Sequence, residues 1–351
     1  MNNWQAPAYE DKEHDVSDEE RPKIADVALA AGVSVPTVSK VLNGRAHVAA
    51  ATRERVNEAL RNLGYTKTEP AQQQGPGIIQ LVFNNFDSPW ALQIMDGAEA
   101  AAHRLGLTLS CVRTKHVGPD VWRRQRVASQ LSGVILLTPH RGSPLVNSLF
   151  QLNIPAVVID PQGGDQLPVP TVSATNFSGS LKAVQHLIEL GHQRIAIITG
   201  GGALSAYSTA RYAAYAAALM EAGLPLESGL VKDGDFSMEA GHRLGGELLD
   251  QPNRPTAVFA GNDLQALGLI SAAASRGIRI PEELSVVGFD DIALAQLSSP
   301  ALTTVRQPLG QMAGMAVSLL AEQIKGHANG PQALELATEL IERDSTAPLP
   351  R

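Results

Sequence analysis

From Gly77 onward, short apolar runs alternate with longer helical stretches, and no other feature of the sequence restricts the fold as strongly. The apolar runs are predicted to be strands, at residues 78–83, 107–112, 134–137, 156–160, 195–199, 257–260 and 286–289. Helices are predicted at residues 91–105, 181–190, 213–222, 264–276 and 312–325. Because such alternation requires a mostly parallel sheet with helices on both faces, this part of the chain is predicted to be α/β.

This α/β part is too long to be a single unit. It extends over more than 270 residues, whereas single domains contain about 100–200 residues. We therefore predict two Rossmann-like lobes. In such folds ligands bind beyond the carboxyl ends of the strands, so the residues that follow each strand are the candidates for a binding site.

Polar and aromatic residues follow several of the predicted strands. The candidates are Asp87, Ser88 and Trp90 after the first strand, Asp160, Asn262 and Asp290 after three later strands, and Arg211 near the start of a helix. Carboxylates and amides form paired hydrogen bonds with neighbouring hydroxyls, aromatic rings stack on the apolar face of a sugar, and arginine supplies a rigid fork of donors. The set is typical of a sugar site, although each residue alone is as typical of a helix cap or a solvated loop.

The formal net charge of −7 is unevenly distributed along the chain. Residues 1–20 contain one base and seven acids, residues 21–67 contain eight bases and three acids, and the remainder contains 19 bases and 25 acids. A small basic block beside an acidic body is typical of a nucleic-acid-binding module attached to a larger domain. The acidic block at 1–20 is predicted to be a disordered tail.

The basic block has the pattern of a helix-turn-helix. Apolar residues recur at helical spacing in residues 24–31, Gly32 supplies a turn, and Ser34 is a suitable N-cap for a second helix. A third amphipathic stretch contains apolar residues at helical spacing in 56–63 and ends at Gly64. Two short helices joined by a tight turn, with a third packed behind them, indicate a DNA-binding headpiece.

In such a motif the second helix enters the major groove of double-stranded DNA. Its exposed N-terminal positions are Val35, Pro36, Thr37 and, one turn later, Lys40. Val35 and Pro36 can make only apolar contacts, such as with a thymine methyl group. Thr37 can donate to a phosphate or a base, and Lys40 can donate to guanine.

The basic block resembles the headpiece of the LacI/GalR family of bacterial transcription regulators. The resemblance rests on residues 24–44 (IADVALAAGVSVPTVSKVLNG), on His47 and Val48, and on residues 52–65. It implies two groups of DNA contacts: Val35, Pro36 and Lys40 read bases, whereas Thr37, Ser39, Asn43 and His47 hold the DNA backbone.

Two features depart from the family pattern. The third helix is preceded by alanines at 49–51, where the family has a capping Ser or Thr. The segment 66–76 (TKTEPAQQQGP) lacks the leucine pair that the family inserts into the minor groove, and its Pro, Gln and Gly residues indicate an extended linker.

The resemblance continues through the body, at residues 190–196, 255–268, 284–291 and 300–308. It implies a two-lobed body of the periplasmic-binding-protein type I fold, with Arg211, Asn262 and Asp290 on the effector, Phe236 as an aromatic wall, and residues 87–90 from the other lobe. The chain would cross between the lobes about three times. The first lobe would contain about 77–172 and 306–327, and the second about 173–305 and 328–343, followed by a tail at 344–351.

The sequence contains no pattern that indicates catalysis. There is no G-x-S-x-G elbow, no P-loop and no G-x-G-x-x-G after a strand. The nine histidines are scattered and the chain has a single cysteine, so we predict neither a metal site nor a cofactor. No run approaches the roughly 18 apolar residues of a membrane-spanning helix, and the first twenty residues do not resemble a secretory signal, so a cytoplasmic protein is expected.

Together these features predict a repressor-type regulator that contains a headpiece at 21–65, a linker at 66–76 and an effector-binding body at 77–343. The predicted partners are near-palindromic operator DNA, a second copy of the chain and a small sugar. Three alternatives remain open. They are a sugar receptor without a DNA role, a sugar-modifying enzyme, and the same regulator controlled by a purine-type corepressor or a phosphoprotein.

Overall fold

The computed structural model describes residues 24–42, 49–63, 77–128, 130–139, 142–163, 167–202, 205–327, 330 and 332–349. The chain divides into two compact units between residues 75 and 76. The predicted tail at 1–20, the linker at 66–76 and two predicted DNA contacts, Asn43 and His47, lie outside the described residues.

The first unit is a small all-α headpiece. Its described helices are α1 (Ile24–Ala31), α2 (Val35–Leu42) and α3 (Ala50–Asn62). Most of the apolar positions that recur at helical spacing are buried, and they form one core of Val27, Ala28, Ala31, Val38, Val41, Val56 and Ala59. In the predicted stretch 56–63, Leu60 is only partly buried and Leu63 is exposed. Gly32 makes the turn between α1 and α2 with φ of 62°, a left-handed conformation that glycine adopts without strain.

The starts of α2 and α3 differ in how their free N–H groups are satisfied. Ser34 precedes α2, its carbonyl accepts from the Thr37 and Val38 N–H groups, and its hydroxyl lies 3.0 Å from the Thr37 hydroxyl. Ala49 precedes α3 and provides no side-chain hydrogen bond to the helix. The absence of a capping side chain on α3 was expected from the alanines at 49–51.

The second unit contains two six-stranded sheets. The first sheet has the order β11-β5-β4-β3-β1-β2 and is parallel throughout. Its strands are β1 (Ile78–Phe83), β2 (Thr108–Arg113), β3 (Gly133–Leu137), β4 (Ala156–Ile159), β5 (Thr171–Ala174) and β11 (Ala333–Leu336). The second sheet has the order β12-β10-β9-β8-β6-β7, in which β12 alone runs antiparallel. Its strands are β6 (Ile195–Gly200), β7 (Val231–Gly234), β8 (Ala257–Ala260), β9 (Ser285–Asp290), β10 (Thr303–Arg306) and β12 (Glu339–Ile341).

Helices cover both faces of each sheet and bury its apolar residues. They are α4 (Pro89–Arg104), α5 (Pro119–Val127), α6 (Pro144–Gln151), α7 (Asn176–Glu189), α8 (Ala206–Glu221), α9 (Met238–Leu249), α10 (Asp263–Ala274), α11 (Ala293–Leu297) and α12 (Leu309–Ile324). The helices α4 and α12 pack on one face of the first sheet, and α5 and α6 on the other. The second sheet lies between the pair α9 and α10 and the pair α7 and α8. The predicted α/β class, with an all-α headpiece and a two-lobed body, is confirmed.

The strand pairing corrects one of the predicted lobe boundaries. The chain leaves the first sheet after β5, which ends at Ala174. It returns after β10, and α12 packs on the first sheet. The later strand β11 pairs in parallel with β5, at Ala333 and Thr171, so part of the segment 328–343 that was predicted in the second lobe belongs to the first.

The predicted tail at 344–351 is also corrected, because residues 344–349 pack on the second lobe. Ser345 is fully buried, and its carbonyl and hydroxyl bond to the backbones of Val286 and Thr303. His192, also buried, lies 2.9 Å from the Ser285 hydroxyl and 3.1 Å from the Ala347 carbonyl oxygen. This histidine therefore has a structural role, since it joins the C-terminal segment to the second lobe.

Among the residues that the structure describes, no helix is long and apolar enough to cross a membrane.

Candidate ligand cleft and nucleic-acid helix

A cavity of about 220 Å³ lies between the two lobes, where the carboxyl ends of strands from both sheets meet. Seven of the eight predicted effector residues line it: Ser88, Trp90, Asp160, Arg211, Phe236, Asn262 and Asp290. The first lobe also contributes Asn84, Asn85 and Thr138 to the wall. The strand-end pattern therefore brings together an aromatic, acidic and amide-rich set of side chains.

Asp87 is the exception, and its place in the effector site stays a prediction. Its side chain is exposed and does not line the cavity. The neighbouring Ser88 precedes α4, and its hydroxyl accepts the Ala91 N–H at 3.3 Å. Because the helix begins at residue 89, Ser88 is held against the cavity while Asp87 remains in the solvent-facing loop before it.

Several lining residues have a left-handed backbone that is uncommon outside glycine. The φ angles are 44° at Thr138, 47° at Asp160, 67° at Phe236 and 119° at Asp290. Such conformations cost free energy and concentrate at functional sites, where surrounding packing holds them. Their clustering around one cavity marks it as a binding site independently of the residue types.

Arg211 is almost fully buried in the second lobe at the centre of this cavity. Its Nε and Nη2 donate to Asn176 Oδ1 at 3.0 and 2.8 Å, and its Nη1 donates to the Gly261 carbonyl. Its Cζ lies 3.7 Å from the centre of the Phe289 ring. A guanidinium has five N–H groups, and three are used in these bonds among the described residues, which leaves two for a ligand.

Two carboxyl groups flank Arg211. Burial raises the pKa of Asp160 to about 7, although Arg211 and a backbone hydrogen bond from Ala174 act in the opposite direction. Burial likewise raises the pKa of Asp290 to about 6, against the opposing effects of Arg211 and of Gln307, whose Nε2 donates to Asp290 Oδ1 at 2.7 Å. A carboxylate accepts hydrogen bonds from hydroxyl groups, and the protonated form that burial favours can also donate one.

The neighbouring acids Asp263 and Asp291 have structural partners. Asp263 is buried and accepts from the Ile292 N–H and the Thr304 hydroxyl, at 2.8 and 2.5 Å. Asp291 forms ion pairs with Arg306 and Arg343, at 2.7 and 2.6 Å. The two neighbouring residues at each of these strand ends therefore differ in role, since Asn262 and Asp290 line the cavity while Asp263 and Asp291 hold the second lobe together.

Phe236 forms one wall of the cavity, as the family resemblance implied. The Nδ2 of Asn262 donates to the Phe236 carbonyl at 3.1 Å, while its Oδ1 caps α10. A Cβ atom at Gly200 would lie 2.8 Å from the Phe236 ring. The glycine at the end of β6 therefore has a specific role, which is to let this ring lie across the strand end.

The structure adds Gln307 and Tyr207 to the site, two residues that were not predicted. Gln307 is buried and donates to Asp290, while its Oε1, also buried, has no hydrogen-bond partner among the described residues. Gln307 follows β10 directly, so the strand-end rule would have found it had the short run Thr303–Arg306 been predicted as a strand.

The raised pKa values predict an unusual pH dependence of stability. The folded-state pKa of Asp160 is about 7 and the ordinary value is 3.8, so the folded state holds a proton that the unfolded state has lost. The contribution of this proton to the free energy of unfolding is fully present below about pH 4. It is lost as the pH rises through 7, which lowers the free energy of unfolding by about 4 kcal/mol. Asp160→Asn is therefore expected to raise the melting temperature of the ligand-free protein at pH 8 and to change it little at pH 4.5.

Asp87→Asn removes an exposed carboxylate outside the cavity and serves as the control. Thermal melts of both variants and the wild type at the two pH values measure the effect. An equal change for Asp160→Asn at both pH values would contradict the raised pKa.

The second candidate site is the exposed side of α2 in the headpiece. Val35, Pro36 and Lys40 are exposed, and Thr37 and Ser39 are partly buried. On the opposite side of α2, Val38 and Val41 are buried in the headpiece core. An exposed face with a cation, a hydroxyl and apolar groups is suited to the major groove.

Among the described residues, no group of three or more His, Cys, Asp or Glu side chains is placed to hold a metal ion.

Comparisons with known proteins match both parts of the chain, the headpiece and the body. Residues 23–67 match the model described as bacterial regulatory proteins of the lacI family, and residues 184–346 match that of the periplasmic binding protein-like domain. The HTH-type transcriptional regulator DegA of Bacillus subtilis (strain 168) is 33% identical over 334 residues, which cover 93% of this chain and 98% of DegA.

Solved structures give the same result. The transcriptional regulator CelR in complex with cellobiose has a TM-score of 0.70 and 33% identity, over 93% of this chain and 100% of CelR. The lac repressor dimer bound to operator and the anti-inducer ONPF has a TM-score of 0.67 and 28% identity, over 93% of this chain and 99% of that one.

Proposed function

The chain belongs to the LacI family of bacterial regulatory proteins, and from this premise we propose that it is a transcription repressor whose operator affinity is controlled by a small sugar. One observation carries the proposal. A cleft lined by Arg211 and by Asp160 and Asp290, two carboxyl groups that interact electrostatically with it, occurs in the same chain as a helix-turn-helix with an exposed recognition helix. No catalytic role is proposed, and as a DNA-binding regulator the protein is expected to act in the cytoplasm, at the nucleoid.

The headpiece supports sequence-specific recognition. In the proposed complex Val35, Pro36 and Lys40 face base edges, and Thr37 and Ser39 face phosphates. The predicted backbone contacts of Asn43 and His47 are retained in the proposal as expectations from family position. Residues 66–76 connect this module to the body.

The chemistry of the cleft supports a polyhydroxylated effector. Two free N–H groups of Arg211, two carboxyl groups and the unpartnered Gln307 Oε1 offer both donors and acceptors to hydroxyl groups, and Trp90 and Phe236 offer aromatic faces. The relative CelR was solved with cellobiose, which is consistent with a sugar in this cleft.

Contacts between the lobes provide a route by which the effector can act on the DNA. Gln93 Nε2 of the first lobe donates to the Asp291 carbonyl of the second at 3.4 Å, and Gln162 Nε2 donates to the Tyr207 hydroxyl at 3.0 Å. A ligand changes operator affinity only through its different affinity for two body conformations. Closure of the lobes around the effector is the proposed conformational change.

We propose further that the functional unit is a homodimer on a near-palindromic operator. A single recognition helix reads too few base pairs for specific binding, so two-fold symmetry is expected in the protein and its site. Leu294 and Leu297 lie three residues apart on α11 and are 46% and 78% exposed. Exposed leucines on one face of a short helix are typical of an interaction surface.

Leu297→Asp is expected to shift the dimer toward monomers by placing a charge in the proposed interface. Because the side chain is exposed in the single chain, the far-UV spectrum should remain that of a folded protein. Analytical ultracentrifugation measures the change, and Leu105→Asp, at an exposed leucine of the first lobe, is the control. Unchanged dimerisation of Leu297→Asp would place the interface elsewhere.

Selection of randomised DNA by the purified full chain tests the proposed function. An inverted repeat with equal half-sites is the expected product. Binding of that repeat is then measured with sugars, sugar phosphates and nucleobases. A purine that strengthens binding would replace the sugar inducer with a corepressor, and the absence of any selected sequence would favour a receptor without a DNA role.

A further inference from the structure

A second cavity, of about 420 Å³, continues the interlobe cleft beyond Asp160 and Tyr207. Both residues line this cavity and the one that contains Arg211. We call the cavity that contains Arg211 the inner compartment and the second cavity the outer compartment. The two compartments share Asp160 and Tyr207 in their walls, and residues of both lobes line each of them.

The walls of the outer compartment also come from both lobes. The first lobe contributes β5 and β11, and the second contributes the N-terminal turns of α7 and α8. On β5 the side chains alternate, so that Val172 and Ala174 are buried in the core while Thr171 and Ser173 are only partly buried on the other side. Small hydroxyl-bearing side chains at these positions keep the compartment open.

The volumes indicate the size of the ligand. Pockets for small molecules measure about 300–1,000 Å³, and the inner compartment, at about 220 Å³, is smaller than this range. With the outer compartment included, the cleft falls within the range. A single sugar ring matches the inner compartment, and a ligand of two rings is needed to occupy both.

The charges indicate the chemical class of the second ring. Among its described lining residues the outer compartment contains the acids Asp160 and Glu335 and no Lys, Arg or His. A phosphate or carboxylate there would meet only negative side chains, whereas hydroxyl groups could bond to Thr171, Ser173 and the carboxylates. The aromatic ring of Tyr207 lies at the junction, 5.6 Å from that of Phe236, and offers an apolar surface to either ring.

We propose that the effector is an uncharged disaccharide or glycoside, with one ring in the inner compartment and the second in the outer compartment. This inference rests on the proposed function, because it names the class of sugar that the same cleft binds. In this arrangement Arg211 and Asp290 contact the first ring, and Ser173 faces the second ring. Asp160 lies beside the glycosidic bond that joins the two rings.

The experiment compares affinities by calorimetry for maltose, lactose, cellobiose and sucrose with those for glucose, galactose and ribose. At least one disaccharide is expected to bind ten times more tightly than its component monosaccharides, and its phosphorylated form more weakly. Ser173→Phe, which fills the outer compartment from β5, should remove that advantage. Ser173→Ala, which removes the hydroxyl without filling the space, should retain most of it.

Ala206→Phe fills the outer compartment from α8 on the opposite wall and is used if Ser173→Phe does not fold, as judged by its ligand-free melt. Equal affinity for disaccharides and monosaccharides, or an advantage that survives both filling variants, would overturn the inference and leave the sugar-controlled repressor intact. If no sugar of either length binds while a nucleobase or sugar phosphate does, both this inference and the proposed sugar effector are wrong.

Discussion

Arg211→Ala is expected to abolish the response to the effector while leaving operator binding in the absence of effector unchanged. The variant loses the two N–H groups available to a ligand, and hydrogen bonds from a charged donor each contribute about 1.5–3 kcal/mol. The loss corresponds to a decrease in effector affinity on the order of a hundredfold or more. Calorimetry measures the affinity, and fluorescence anisotropy of labelled operator measures the response.

Arg211→Lys separates charge from geometry. Lysine keeps a positive charge beside Asp160 and Asp290 but cannot reproduce the planar fork that donates to Asn176 and to a ligand at the same time. We expect this variant to fold and still bind the effector at least tenfold more weakly. Arg194→Ala, which removes an arginine paired with Glu227 outside the cavity, should respond as the wild type does. Loss of operator binding in Arg211→Lys would mean that the residue is structural.

Lys40→Ala is expected to weaken operator binding by about 1–3 kcal/mol for the contact in each half-site and to relax the preference at one base pair. The reason is that Lys40 is exposed on α2, opposite the buried side of the helix, where it can donate to guanine. The measurement is the affinity of wild type and variant for the selected operator and for the same operator with that base pair changed.

Lys182→Ala removes an equal charge from an exposed position on α7 in the body and should change neither affinity nor preference. A uniform loss across all DNA sequences, with a smaller salt dependence, would make Lys40 a phosphate contact. That outcome would leave Val35 and Pro36 as the residues that read bases.

Much of the fold was predictable because its strands are buried on both faces. β1 and β8 have the predicted bounds, since Ile78–Phe83 and Ala257–Ala260 are nearly continuous apolar runs. The strands β5, β7, β10, β11 and β12 were not predicted. Each contains only three or four residues, and β7 (Val231–Gly234, sequence VKDG) is polar, so its pairing with β6, and not a local pattern, makes it a strand.

The site shows a similar division between what local sequence can and cannot predict. The carboxyl ends of parallel strands must lie at one edge of a sheet, so the sequence alone predicts that Asn262 and Asp290, from two strands of the second lobe, lie close together. Whether a residue at a strand end faces the cavity depends on backbone angles, such as φ of 119° at Asp290, that local sequence does not specify. Asp87 lies outside the cavity for the related reason that α4 begins at residue 89 and leaves it in the exposed loop before the helix.

Gln307 and Tyr207 were missed for different physical reasons. Gln307 follows a short strand whose buried threonines do not stand out as an apolar run. Tyr207 lies in the first turn of α8, where an aromatic residue is as typical of the core as of a cavity wall. The outer compartment likewise depends on β11, which comes from a distant part of the sequence to pair with β5.

Control of DNA binding by the cleft is tested most directly by titrating the operator complex of the full chain with the effector identified by calorimetry. We predict that the wild type loses operator affinity by about 5–150-fold, the usual range of allosteric coupling, and that Arg211→Lys responds only at much higher effector concentration. An effector that binds the wild-type cleft in an Arg211-dependent way and leaves operator affinity unchanged would contradict the claim that the cleft controls DNA binding.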